Sequence, residues 1–118
     1  VALETMDKIL NGVKGRFSVQ KFEHSINLTS KRSDVRIQIQ TDPRYQEFIQ
    51  RASSRQVLGY KMNVASVEDV LKGKIWAYLD EARRKSKRQK DLADIFRLVE
   101  THPELAKKLP EEVRKSME

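Results

Sequence analysis

Residues 64–99, VASVEDVLKGKIWAYLDEARRKSKRQKDLADIFRLV, decide how this chain is read. Val67, Val70, Leu71, Ile75, Tyr78 and Leu79 recur at helical spacing, and so do Leu92, Ile95, Phe96 and Val99 further on. The pattern predicts two helices joined by a basic turn. On the first helix Lys74 falls near the centre of the apolar stripe, four residues after Val70 and four before Tyr78. A charge inside a buried stripe is unfavourable unless it is paired or belongs to a working site. The second helix offers Lys90-Asp91 near its start and Asp94 one turn later. Antiparallel packing would bring Lys74 towards that start, which makes a Lys74–Asp91 ion pair geometrically reasonable. Two readings stay open. Lys74 is either a structural partner whose stem packs while its head snorkels, or a cleft lysine that neutralises a phosphate and is held by an aspartate.

The turn between the helices carries most of the chain's charge. Residues 81–90, EARRKSKRQK, hold six Lys and Arg against one Glu, which is +5 of a net +7. Such a local cluster (Arg83, Arg84, Lys85, Lys87, Arg88) suits either a polyanion site or a solvated turn. No aromatic residue interleaves with it, which argues against a stacking platform for single strands. Trp76 falls opposite the Lys74 face, where it is expected to pack on a sheet or on a partner chain.

Upstream, Leu3, Met6, Ile9 and Leu10 predict a helix over 2–11, with Gly12 as its stop. Alternation then takes over: Phe17 and Val19, Ile26 and Leu28, and Val35, Ile37 and Ile39 each alternate with polar residues. These read as three antiparallel strands with one solvated or cleft-facing side, the third being the clearest. Asp42-Pro43 supplies a cap and a first-turn proline for a short helix carrying Tyr45, Phe48, Ile49 and Ala52. Residues 57–64, VLGYKMNV, alternate again and predict a fourth strand. Ser66 with Asp69, Ser86 with Gln89 and Thr101 with Glu104 have capping-box spacing, so helices are expected to start near 67, 87 and 102, and Pro110 to open a last one. The order α-β-β-β-α-β-α-α-α is an α+β arrangement: a small antiparallel or mixed sheet of about four strands, helices packed on one side, and a C-terminal helical bundle.

Length and composition narrow the function. At 118 residues there is room for one domain, with a sheet-containing part over 3–63 and a helical part over 64–118. There is no cysteine, hence no disulfide, thiolate chemistry or Cys-based zinc site. No apolar run approaches the ~20 residues of a membrane span, and no signal-peptide pattern is present, so a cytoplasmic location is expected. The chain starts at Val, not Met, which is the behaviour expected of a processed, trimmed or partial chain. His24 and His102 are isolated in sequence, which makes a metal site from them unlikely. No glycine-rich phosphate loop and no nucleophile elbow occur. An Asp-x-Asp pair, which two-metal phosphoryl transfer would use, is missing; Asp91 and Asp94, three apart with Lys90 beside them, suit ion pairing better than metal binding.

The segment VASVEDVLKGKIWAYLD followed by KRQKDLADIFRLVETHPEL resembles the C-terminal helical part of the AbiEii-type and related minimal nucleotidyltransferases. The shared pattern falls on Val64, Ala65, Glu68, Asp69, Val70, Leu71, Lys74, Ala77, Lys90, Asp91 and Asp94, and the resemblance extends over about residues 3–109, with its specific part in 64–99. It implies a nucleotidyltransferase-like α+β fold in which the helical lysine and aspartate, here Lys74 and Asp91, contribute to nucleotide binding. That superfamily draws its chemistry from a Gly-Gly or Gly-Ser turn and an Asp-x-Asp/Glu pair that bind the metal–nucleotide, and neither lies in these residues. The implied protein is therefore truncated or catalytically degenerate, does not transfer nucleotides by itself, and needs Mg2+ only if the carboxylates come from elsewhere. Its candidate nucleotide- or phosphate-binding residues are Lys74, Lys90, Asp91 and Asp94.

Two other classes compete. One is a non-enzymatic module that binds nucleic acid or a partner through the basic turn 83–90. The other is a structural half-domain whose open sheet edge pairs with a second copy or with a missing N-terminal segment.

Overall fold

Met6 anchors the first helix, α1 (Met6–Val13), which follows a 3-10 turn at Leu3–Thr5. The computed structural model describes residues 3–117. Ile9, Leu10 and Val13 of α1 and the following Phe17 pack with Met6 against Ile26, Leu28 and Ile39 of a sheet. Gly12, the expected stop, lies inside the helix. The reversal comes later, at Gly15, whose φ of +90° is the left-handed region that glycine tolerates. There the amides of Arg16 and Phe17 both donate to the Val13 carbonyl, at 3.0 and 3.1 Å.

The sheet has three antiparallel strands, β1 (Ser18–Lys21), β2 (Ser25–Thr29) and β3 (Arg36–Gln40), in that order. Register places Ile26 opposite Ile39, and Leu28 opposite both Val19 and Ile37. Only the middle strand is well covered. On β3, whose alternation is the cleanest in the sequence, Ile39 is buried while Ile37 is 40% exposed; β3 is an edge strand, and α1 does not reach all of it. On the other face Asn27, also buried, has a side-chain oxygen without a hydrogen-bond partner among the described residues.

Asp42 then caps a 3-10 turn, Pro43–Tyr45, as its sequence position predicts: its carboxylate accepts the Arg44 amide at 3.0 Å and holds the Arg44 side chain at 2.9 and 3.0 Å. The short helix α2 (Gln46–Arg51) follows. The single strand expected over 57–64 is instead a hairpin, β4 (Ser53–Val57) and β5 (Tyr60–Val64), separate from the three-stranded sheet. The break falls at Leu58-Gly59, both with positive φ (51° and 84°), which is the two-residue turn whose twist matches paired strands. Alternation alone does not show it, because Leu58 occupies a position normally taken by Asn or Gly. Leu58 is 94% exposed, so it contributes no packing there. Leu58→Asn is expected to stabilise the hairpin by about 1 kcal/mol, since a left-handed backbone strains a leucine and suits asparagine. A urea midpoint unchanged or lowered by that substitution would refute this account.

Contacts divide the chain into two compact units, Val1–Asn63 and Val64–Glu118. The second is helical. Ser66 caps α3 (Val67–Leu79) by accepting the Asp69 amide at 3.1 Å, as expected. The next helix, α4 (Lys85–Thr101), begins two residues before the predicted start and without a side-chain cap. The Thr101–Glu104 box does not form either. Thr101 Oγ1 donates back to the Arg97 carbonyl, and a 3-10 stretch, Pro103–Lys108, follows His102. Pro110 opens α5 (Glu111–Ser116) as predicted. Leu71 and Ile75 of α3, Leu92 and Ile95 of α4, Leu105, Leu109 and Val113 form the core of this unit. The architecture is α+β as expected, with five strands in two sheets among the described residues. Among the described residues no helix is long and apolar enough to cross a membrane.

Candidate nucleotide site on the helix pair

Burial of Leu71 and Ile75 against Leu92 and Ile95 fixes how α3 faces α4. Val70, which the sequence places in the buried stripe, is 39% exposed. The true seam is therefore rotated, and Lys74 lies on its rim with a side chain 36% exposed. The expected placement at the stripe's centre is corrected accordingly. A rim position lets the ammonium stay partly hydrated while its stem covers apolar surface.

Lys74 does not take Asp91 as its main partner. Its Nζ donates to Asp94 Oδ2 at 2.8 Å and stands 3.9 Å from Asp91 Oδ1. Asp91, whose side chain is only 3% exposed, is held instead by Arg83, whose Nε and Nη2 donate at 2.7 and 3.4 Å. Arg83 reaches it because Asp80 turns the chain after α3: its carboxylate accepts the Ala82 amide and its carbonyl the Arg83 amide. Asp94 Oδ1 also accepts from Arg97 at 3.2 Å. The result is a chain of charges, Arg83–Asp91–Lys74–Asp94–Arg97, in which three cations share two carboxylates.

The Lys74 hydrogen bond holds the Asp94 carboxyl below its ordinary value of 3.8; partial burial opposes this, and the charges of Lys74, Arg97 and Lys90 assist it. Because folding lowers this pKa, the carboxylate's stabilisation is fully present above the unfolded value and is lost as the pH falls through the lower folded one. Asp94→Asn should accordingly flatten the acid limb of stability. Trp76, the one tryptophan of the chain, reports this by fluorescence in urea titrations between roughly pH 2 and 5. An acid limb identical to that of the parent chain would rule the role out.

Beside the Lys74–Asp94 pair lies an open groove of about 340 Å³ lined by Val70, Arg97, Leu98, Thr101 and His102 as well as the pair itself. Arg97 and His102 are thus at the site although the sequence reading passed them over. The signal for Arg97 was its spacing of one turn from Asp94; nothing local pointed to His102. Of the predicted residues, the structure brings Lys74, Asp91 and Asp94 together. Lys90 acts on Asp94 only through its charge.

The basic cluster divides in two. Arg83 is committed to Asp91. Arg88 folds back onto α3, donating from Nε to the Tyr78 carbonyl at 2.7 Å with its guanidinium 5.6 Å from the Tyr78 ring centre. It closes the C-terminal end of a helix that has no basic residue in its own last turn. Arg84, Lys85 and Lys87 remain exposed and form no ion pair among the described residues. As arranged, both carboxylates serve cations, and no cluster of three His, Asp or Glu fit for a metal occurs among the described residues. This donor set does not fit a divalent ion.

The class of this α+β chain, nucleotidyltransferase-like, comes from its family. Residues 4–118 match the family described as nucleotidyl transferase AbiEii toxin, type IV toxin–antitoxin system, and the chain belongs to the AbiEii family. No curated protein and no solved structure matched it.

Proposed function

We propose that the α3–α4 pair forms a nucleotide- or polyphosphate-binding site centred on Lys74. The observation that carries this reading is the Lys74 geometry. One of its donors is fixed by Asp94, its head borders the groove, and neighbouring Arg97 is 75% exposed. Lys74 and Arg97 would take phosphate oxygens in charge-assisted hydrogen bonds. Asp94 positions the lysine, and Asp91, by gripping Arg83, holds the turn. Family membership supports a nucleotidyltransferase-like function. The residues here are assigned binding and orientation, with no transfer step, because the 118 residues contain no Asp-x-Asp pair.

Titration with a fluorescent nucleoside triphosphate tests the site. Lys74→Ala is expected to weaken binding by at least about tenfold, the loss of one charge-assisted hydrogen bond. Unchanged affinity would overturn the proposal. A second reading, docking of nucleic acid on the basic turn, is favoured by one observation, the exposed and unpaired Arg84, Lys85 and Lys87. It requires RNA or DNA binding that survives Lys74→Ala, is lost on neutralising those three, and falls steeply with salt.

A further inference from the structure

A different basic site lies in the sheet-containing unit. A pocket of about 520 Å³ opens at one end of the β1–β2 pair, lined by Gly15, Arg16, Phe17 and Ser18 on one side and by Ser30, Lys31 and Arg32 on the other. The two segments are far apart in sequence and meet through strand pairing. The strand pairing ends with Ser18 opposite Thr29, and the segments just beyond it on each side carry Arg16 on one wall and Lys31 and Arg32 on the other. In the flanking sequence Lys14 and Arg36 add two more cations, against one carboxylate, Asp34. None of these five cations forms an ion pair among the described residues, in contrast to Arg44 in the same unit, which is held by Asp42.

The walls suit an anion. Ser18 and Ser30 line the pocket with hydroxyls, and no carboxylate does so. Gly15 exposes its backbone, since a side-chain carbon there would meet nothing within 4 Å. The partly buried Phe17 is fixed from behind by the core around Met6 and Ile26, which gives the pocket a rigid floor. Ser30 Oγ accepts the Arg32 amide at 3.1 Å and Ser33 Oγ the Val35 amide at 3.3 Å, so the turn carrying Lys31 and Arg32 has internal supports.

We propose that this pocket binds a phosphate group, with Arg16, Lys31 and Arg32 as its cationic ligands and Ser18 and Ser30 as neutral donors. An anion there would meet the positive charge that Arg16, Lys31 and Arg32 gather around one pocket, through charge-assisted hydrogen bonds to its oxygens. The proposal is independent of the Lys74 reading, because it uses no residue of the helical unit.

Amide NMR shifts of the full chain, titrated at constant ionic strength with inorganic phosphate and separately with a short oligouridylate, test it. Saturable shifts confined to residues 15–18 and 30–32 are expected. Arg16→Gln with Lys31→Gln should weaken them by at least about tenfold, while Arg16→Lys with Lys31→Arg should preserve them. The exposed positions leave the sheet intact, which the dispersion of the Ile26 and Leu28 amides verifies. Half-saturation by the oligonucleotide at less than a tenth of the phosphate concentration identifies a strand backbone as the source; equal values per phosphate identify a free phosphate. Shifts that do not saturate, that chloride reproduces, or that the double glutamine variant leaves intact overturn the proposal, as does retention of binding in that variant with loss in Lys85→Gln/Lys87→Gln.

Discussion

Arg83→Met is expected to destabilise the helical unit by about 3 kcal/mol, the usual loss when one partner of a buried ion pair is removed. The cost arises at Asp91, not at the arginine. Asp91 is 3% exposed and takes one short and one longer hydrogen bond from Arg83, at 2.7 and 3.4 Å. Lys74, at 3.9 Å, is already committed to Asp94 and can replace them only in part. Arg83→Lys should recover less than half of the loss, because an ammonium does not reproduce the forked contact of a guanidinium. Urea unfolding followed by Trp76 fluorescence measures both. A loss below about 1 kcal/mol for Arg83→Met, the range of an exposed pair, would show that the contact is a surface one.

Ile95→Ala is expected to be at least as severe, at about 3–4 kcal/mol. Ile95 is fully buried and sits among Leu71, Ile75, Leu92, Leu105, Leu109 and Val113. A cavity left there borders α3, α4 and the C-terminal turns together, so collapse cannot fill it from one side. The core of the other unit (Met6, Ile26, Leu28 and Ile39) shares no residue with it. Hydrogen exchange should therefore quicken throughout α3 and α4 while β2 keeps its protection. Equal acceleration of β2 would mean that the two units unfold as one.

The two predictions rest on features that differ in how visible they were beforehand. Ile95 was legible as core from helical periodicity, because a residue repeating with Leu92 and Val99 must face one side. Lys74, Asp91 and Asp94 were legible as a charged cluster for the same reason. Their pairing was not. The facing of α3 leaves Val70 exposed and Lys74 on the rim, where the expected Lys74–Asp91 contact persists at 3.9 Å but the shorter bond goes to Asp94. Arg83 and Arg88 looked alike within a basic run, yet one grips a buried carboxylate and the other closes a helix end. The hairpin at 53–64 was hidden because a leucine stands where the turn would favour asparagine.

Local periodicity and turn chemistry determined by themselves the α+β class, the helices over 67–79 and 85–101 to within two residues, the cap at Ser66 and the turn at Asp42-Pro43. Those depend on neighbours within about one helical turn or two strand residues, which a linear reading contains. The tertiary structure alone decided which carboxylate each cation meets, that Arg97 and His102 border the groove, and that Arg16, Lys31 and Arg32 line one pocket. Each of those depends on the rotation of a helix or the register of a strand, and small changes in either exchange one partner for another.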